Sequence, residues 1–278
     1  MTLLGAFLLM AVAALVAALT GAMVAAIHMG LHGVSFEAAQ VALGRDMLLI
    51  ALCQLMGLVT ATGVGVLATF GDDVNYREAL AVHAVPAALV VLALTGGFAL
   101  QFPLHELANL LGDLVPGFAI DPARGAAIRD MVRIDGWLDA VTIPLAVVAI
   151  PAVSEELFFR GLLLPGFDRK YGPRVALVGS SLAFGLIHVM PVAVVYASLA
   201  GLVIGWVRQR TGSVLPCIAL HGAFNAVPVV LPASLVRIEG FNVSTSSAAH
   251  LPLSLVLGSM VIAGISLTLL GWLAAEED

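Results

Sequence analysis

Long apolar runs constrain this chain more than any other feature. A helix needs about 20 mostly apolar residues to cross a bilayer. Eight stretches approach or exceed that length: 3–27, 47–70, 80–101, 138–164, 174–190, 192–207, 213–232 and 251–274. The fifth and sixth are short and divide at Met190-Pro191, where proline marks a turn or a kink. Only 11% of residues are charged and the mean hydropathy is +1.07, whereas soluble domains carry about 25% charged residues. The chain therefore reads as an all-α polytopic membrane protein of about eight transmembrane helices.

The remaining composition excludes more than it assigns. The net charge of −6 comes without any basic run of the kind that binds nucleic acid. Cys53 and Cys217 fall in separate apolar runs and read as small apolar residues, not a disulfide framework. The first run lacks a basic leader and exceeds a signal core of about 7–15 residues, so it is read as a retained span. There is no repeat and no low-complexity tract. The chain is taken as one integral membrane domain: three spans and an interfacial loop over 1–135, a core over 136–235, and a final span and tail over 236–278.

Within the loop 103–137, Leu104, Leu107, Leu111, Leu114 and Val115 recur at helical spacing. His105, Glu106, Asn109, Gly112 and Asp113 take the opposite face. This pattern predicts a short helix lying in the interface. Asp121-Pro122 then reads as a cap followed by a first-turn proline. Arg169, Lys170 and Arg174 follow the fourth span, and Arg208 and Arg210 follow the sixth, all on one side of an eight-span alternation. The positive-inside rule makes that side cytoplasmic, with both termini inside. Arg45, Arg124, Arg129, Arg133 and Arg237 lie opposite, three of them in the long loop where the rule weighs less. An Ala- and Gly-rich composition points to a bacterial cytoplasmic membrane.

Five of the eight runs carry no Asp, Glu, Lys, Arg or His in their interiors. The exceptions are the fourth, with Glu155, Glu156 and Arg160, the fifth, with His188, and the seventh, with His221 and nearby Asn225. A charge at the centre of a span costs about 2.5–3.5 kcal/mol on insertion scales. Concentration in three runs points to one shared site. Glu156 and Arg160 are four apart with the acid first, the favourable order for an intrahelical ion pair. Glu155 lies on another face without such a partner, so its match is expected on another helix, and His188 and His221 are the candidates. At about 1.5 Å per residue, all three reach between mid-membrane and the cytoplasmic side. Phe184 shares a helix face with His188, and His221 with Asn225.

Glu155-Glu156-x-x-x-Arg160, Phe184-x-x-x-His188 and His221-x-x-x-Asn225 together resemble the signature of the CPBP family, the Abi or type II CAAX prenyl endopeptidase-like intramembrane proteases. The resemblance covers roughly residues 140–230. It implies an eight-helix bundle with a cavity open to the membrane and the cytoplasm, and hydrolysis of a membrane-associated peptide or protein. Residue by residue, it implies that Glu155 and His188 activate water, that His221 and Asn225 stabilise the oxyanion, and that Glu156 and Arg160 hold the motif helix in place. Glu155, His188 and His221 are also a two-His, one-carboxylate set of the kind catalytic zinc uses, so zinc is the one cofactor considered and a metalloprotease stays open beside metal-free chemistry. A proton-coupled transporter and a non-catalytic scaffold or immunity protein are the other readings.

Several features carry less weight. His28 and His32 are read as boundary residues, not a metal site. Gly201 and Gly205 are read as helix packing. Asn242-Val-Ser244 is a glycosylation sequon relevant only in a secretory host. Phe158 and Phe159 are expected to face lipid more than a substrate groove.

Overall fold

The computed structural model describes residues 1–119, 122–243 and 249–276. Eleven helices account for its regular structure, and no strand occurs among the described residues. They are α1 (Leu3–His32), α2 (Phe36–Leu43), α3 (Met47–Phe70), α4 (Tyr76–Ala79), α5 (Ala87–Leu114), α6 (Pro122–Met131), α7 (Asp139–Tyr171), α8 (Pro173–Leu186), α9 (Pro191–Thr211), α10 (Leu215–Val230) and α11 (Leu253–Glu276). Among the described residues, α1, α3, α5, α7, α9 and α11 are long and apolar enough to cross a membrane, while α8 and α10 are apolar but shorter. The protein is thus an all-α polytopic membrane protein.

Two of the long helices begin where polar side chains can satisfy their first N–H groups. Thr2 accepts from Gly5 N–H and opens α1, and Asp46 accepts from Leu49 N–H at 3.1 Å and opens α3. The third span departs from expectation at both ends. It starts at Ala87, behind the N-cap Pro86, because residues 81–83 are tied to the α9–α10 link. Val214 N–H donates to Ala81 O at 3.0 Å and Ser213 Oγ to His83 O at 2.8 Å. It ends at Leu114, so the separate interfacial helix is instead the last three turns of α5. The polar face of those turns does not need water. Asn109 donates to Gly240 O at 2.8 Å, and Glu106 accepts from Leu251 N–H at 2.9 Å. His105 also lies within this helix, so His188 and His221 are not the only histidines in the spans. The Asp121 cap lies outside the described residues, as does Ser244 of the sequon.

Helix α7 is the centre of the bundle. It packs on α3, α8 and α10, while α1 lies against α3, and α5 packs on α9, α10 and α11. Three buried clusters result, two of them beside the motif helices. Phe158, Phe159, Leu162 and Leu163 of α7 meet Leu58 and Val66 of α3 and Phe184 of α8. Leu89 and Ala93 of α5 meet Ile204 of α9, Leu220 of α10 and Leu270 of α11. The three motif helices run between these clusters.

Candidate active site

Helix α7 contains Pro144, Pro151 and Pro165. A helical proline lacks an N–H and crowds the carbonyl four residues back. The helix relaxes by widening into π turns at Leu145–Ala149 and Leu157–Leu163, each ending just before a proline. Such widened turns recur at functional sites, and the second one carries Arg160. The expected ion pair forms: Arg160 Nη1 lies 2.9 Å from Glu156 Oε1, with both side chains fully buried. Arg160 Nη2 donates to Gly201 O at 3.0 Å, and the guanidinium stacks on Phe184 at 4.5 Å. A Cβ at Gly201 would sit 3.1 Å from Arg160 Nη2. The glycine lets α9 come close enough for its carbonyl to receive the arginine.

His221 joins the same carboxylate. Its Nδ1 donates to Glu156 Oε1 at 2.8 Å, and its Nε2 lies 3.9 Å from Glu155 Oε2. The ring stands edge-on to Phe184, with centroids 5.6 Å apart. Its helix is placed by a close crossing, since a Cβ at Gly97 of α5 would lie only 2.1 Å from Leu220 O. Glu155 is buried, accepts from Gln54 of α3 through Oε1, and has no hydrogen-bond partner on Oε2.

His188 differs from expectation. Helix α8 stops at Leu186, so His188 lies in the turn that follows, not within a span. Its Nδ1 is 3.0 Å from Phe184 O. A carbonyl only accepts, so Nδ1 carries the proton and Nε2 is left without one. The next residue, Val189, has φ +62°, a strained conformation for a β-branched side chain. Non-helical backbone at membrane depth is tolerated where it lines a cavity, and this turn lines two.

The larger cavity, about 740 Å³, is bounded by α1, α2, α3, α7 and the His188 turn. Glu155, Gln54 and His188 supply its polar wall, and Phe158, Phe159 and Leu58 part of its apolar one. The smaller, about 430 Å³, brings together His188, His221, Asn225, Gln101 and Tyr196. His188 borders both. The Glu155 carboxylate therefore faces one compartment and an Asn amide with a His ring faces the other.

Residues 137–227, about a third of the chain, match the family model described as type II CAAX prenyl endopeptidase Rce1-like. Over this segment the chain is similar to the type II CAAX prenyl endopeptidases. No curated protein and no solved structure matches it. The family is one of peptide-bond hydrolases acting at the membrane, and the matched segment contains all six residues singled out from the sequence.

Those six divide in two within the bundle. Glu155, His188, His221 and Asn225 border the cavities, whereas Glu156 and Arg160 are sealed behind them. Phe158 and Phe159 do not face lipid. Both are fully buried, because α7 is the central helix, and both line the larger cavity. His28 and His32 stack at 4.3 Å. Among the described residues no three His, Cys, Asp or Glu side chains gather closely enough to hold a metal ion. As arranged, Glu155, His188 and His221 do not gather into a zinc donor set.

Gln54 and Gln101 were not anticipated. Each is the one Asn or Gln side chain in its apolar run, at 47–70 and 80–101, and a search for charges and histidines passes over neutral amides.

Proposed function

We propose that the chain is an intramembrane endopeptidase acting on membrane-associated proteins or peptides, with Glu155 as its base. The observation that carries this reading is the carboxylate itself. It is buried, held through Oε1 by Gln54 and unpartnered on Oε2, at the wall of a cavity it shares with His188. A general base needs its proton donor within hydrogen-bond reach. In this proposal Glu155, with His188 Nε2, takes a proton from water as the water oxygen bonds to the scissile carbonyl carbon. The oxyanion accepts from the Asn225 amide and, when the His221 ring carries protons on both nitrogens, from its Nε2–H, as preorganised oxyanion donors do. Collapse breaks the C–N bond, and the proton on Glu155 passes to the leaving nitrogen. Glu156, Arg160 and Gln54 act as positioning residues. The test compares cells expressing wild type and Glu155→Gln, with new protein termini mapped by mass spectrometry. Termini seen only with wild type support the reading. Identical profiles from two folded, equally abundant proteins sink it.

We also propose that the end carrying Arg169, Lys170, Arg174, Arg208 and Arg210 faces the cytoplasm. Met1 N donates to Gly166 O at 2.6 Å, which puts the start of α1 at that end and α2 at the other. The larger cavity reaches Gln40 and Leu43 of α2 and Leu49 and Ile50 of α3. It therefore extends away from the cation-rich end. A cytoplasmic opening, as the family resemblance implies, and a cytoplasmic cation-rich end do not go together, and we favour the latter. With Cys53 and Cys217 replaced, Glu37→Cys is expected to react with an impermeant maleimide in intact cells. Labelling only after permeabilisation would reverse the orientation.

A further inference from the structure

We propose that a cavity at the cation-rich end binds the phosphate of an anionic lipid headgroup. This pocket, about 440 Å³, lies between the end of α7, the start of α8 and the last turn of α9. It shares no lining residue with the site above. Its walls divide by chemistry, with Leu164, Pro165 and Trp206 on the apolar side and Arg208, Gln209 and Arg210 on the polar side. That division suits the boundary between headgroups and acyl chains, where tryptophan concentrates.

Among the described residues, what this pocket lacks is an acceptor for Arg208 Nε. Arg208 is half-buried, and its Nε is buried without a hydrogen-bond partner. A guanidinium fork matches phosphate oxygens bidentately, and leaving its N–H groups unmet is costly. Arg210 stacks on Trp206 at 5.6 Å. Pro173, the first residue of α8, lines the pocket, and no side chain caps that helix. Gln209 Nε2 ties the last turn of α9 to this helix start through Pro173 O at 2.8 Å.

Asp168 also lines the pocket but makes no ion pair with Arg208 among the described residues. Its charge disfavours doubly charged inorganic phosphate more than a singly charged phosphodiester. With the apolar wall, this selects a lipid over the free ion.

The test measures lipid retention on the delipidated, detergent-solubilised full chain by native mass spectrometry, alongside thermal shifts. The probes are phosphatidylglycerol, phosphatidylcholine and inorganic phosphate. Wild type is expected to hold phosphatidylglycerol about tenfold better than phosphatidylcholine, and Arg208→Gln/Arg210→Gln to lose that preference. Arg208→Lys, which keeps the charge and folds more readily but loses the fork, is expected to weaken it. Arg77→Gln removes an exposed cation from the same end, outside the pocket, and is expected to leave it intact. Equal loss in Arg77→Gln would mean diffuse attraction and overturn the site. So would undiminished preference in the arginine variants, or inorganic phosphate matching phosphatidylglycerol in thermal shift.

Discussion

Two histidines in this molecule sit between two carboxylates. His221 lies 2.8 Å from Glu156 and 3.9 Å from Glu155, with about 5% of its side chain exposed. His250 lies 2.7 Å from Glu106 and 2.9 Å from Asp113, with 36% exposed. The constellations are nearly the same and burial separates them. Around His250, water and salt screen the charges, so the cluster ties the 231–252 connection to α5 weakly. Around His221 there is no such screening. Arg160 must balance Glu156, and any loss leaves a charge alone in apolar surroundings. What holds a loop in one place organises the candidate site in the other.

The largest effect is expected from the unpaired side of the buried cluster. Glu155→Gln keeps the shape and the contact with Gln54 but removes the base, so turnover should fall by about 10²–10⁴-fold. An unchanged thermal midpoint would assign the loss to chemistry, and retained proteolysis would contradict Glu155 as base. Arg160→Ala attacks the paired side. It strands the Glu156 carboxylate, and breaking a buried pair from one side costs about 3–5 kcal/mol. Thermal unfolding in detergent should show a large drop. A midpoint within a degree or two of wild type would place Glu156 in a far more polar setting than its full burial suggests.

A smaller effect is expected where the site touches α3. Gln54→Leu frees Glu155 to choose other rotamers while leaving the carboxylate present. Turnover should fall by about tenfold, the scale of one hydrogen bond to a charged group, and the pH–rate profile should shift. Gln54→Glu should be worse, because it sets two carboxylates against each other. A packing role alone would lower stability and leave the pH profile in place.

The two clusters also differ in how far they could be read from the chain. The buried one was legible because its members are costly. Glu155, Glu156, Arg160, His188 and His221 stand out in apolar runs, and the four-residue spacing of Glu156 and Arg160 predicts their contact. The share His221 takes of Glu156 was not legible, because it depends on how closely α10 approaches, which Gly97 and Leu220 decide. The break at His188 was hidden for a different reason. Ile187, Val189 and Met190 are apolar, so hydropathy runs on through a turn that the backbone makes. The exposed cluster was misread because its residues suit an interface. Hydropathy falls after Gln101, yet α5 continues, with Glu106, Asn109 and Asp113 bonded to a distant segment in place of water.

The smallest effect is expected at His250. Both ring nitrogens face carboxylates, which only accept, so both must carry protons. Hydrogen bonding to Glu106, aided by Asp113, accordingly raises the His250 pKa above its ordinary value. A folded-state pKa above the unfolded one, about 6.5, stabilises fully below the unfolded value. The contribution disappears as pH rises through the raised folded value. Wild type should therefore exceed His250→Ala in stability at pH 5.5 by under about 1 kcal/mol, the scale of exposed pairs. By pH 8.5 the gap should have narrowed, and hydrogen exchange in 231–243 should have quickened. Leu251 N–H donates to Glu106 at 2.9 Å without the imidazole's help, so the connection is expected to loosen without detaching. A gap that does not change with pH would mean that His250 contributes packing alone, and the likeness between the two histidines would then end at geometry.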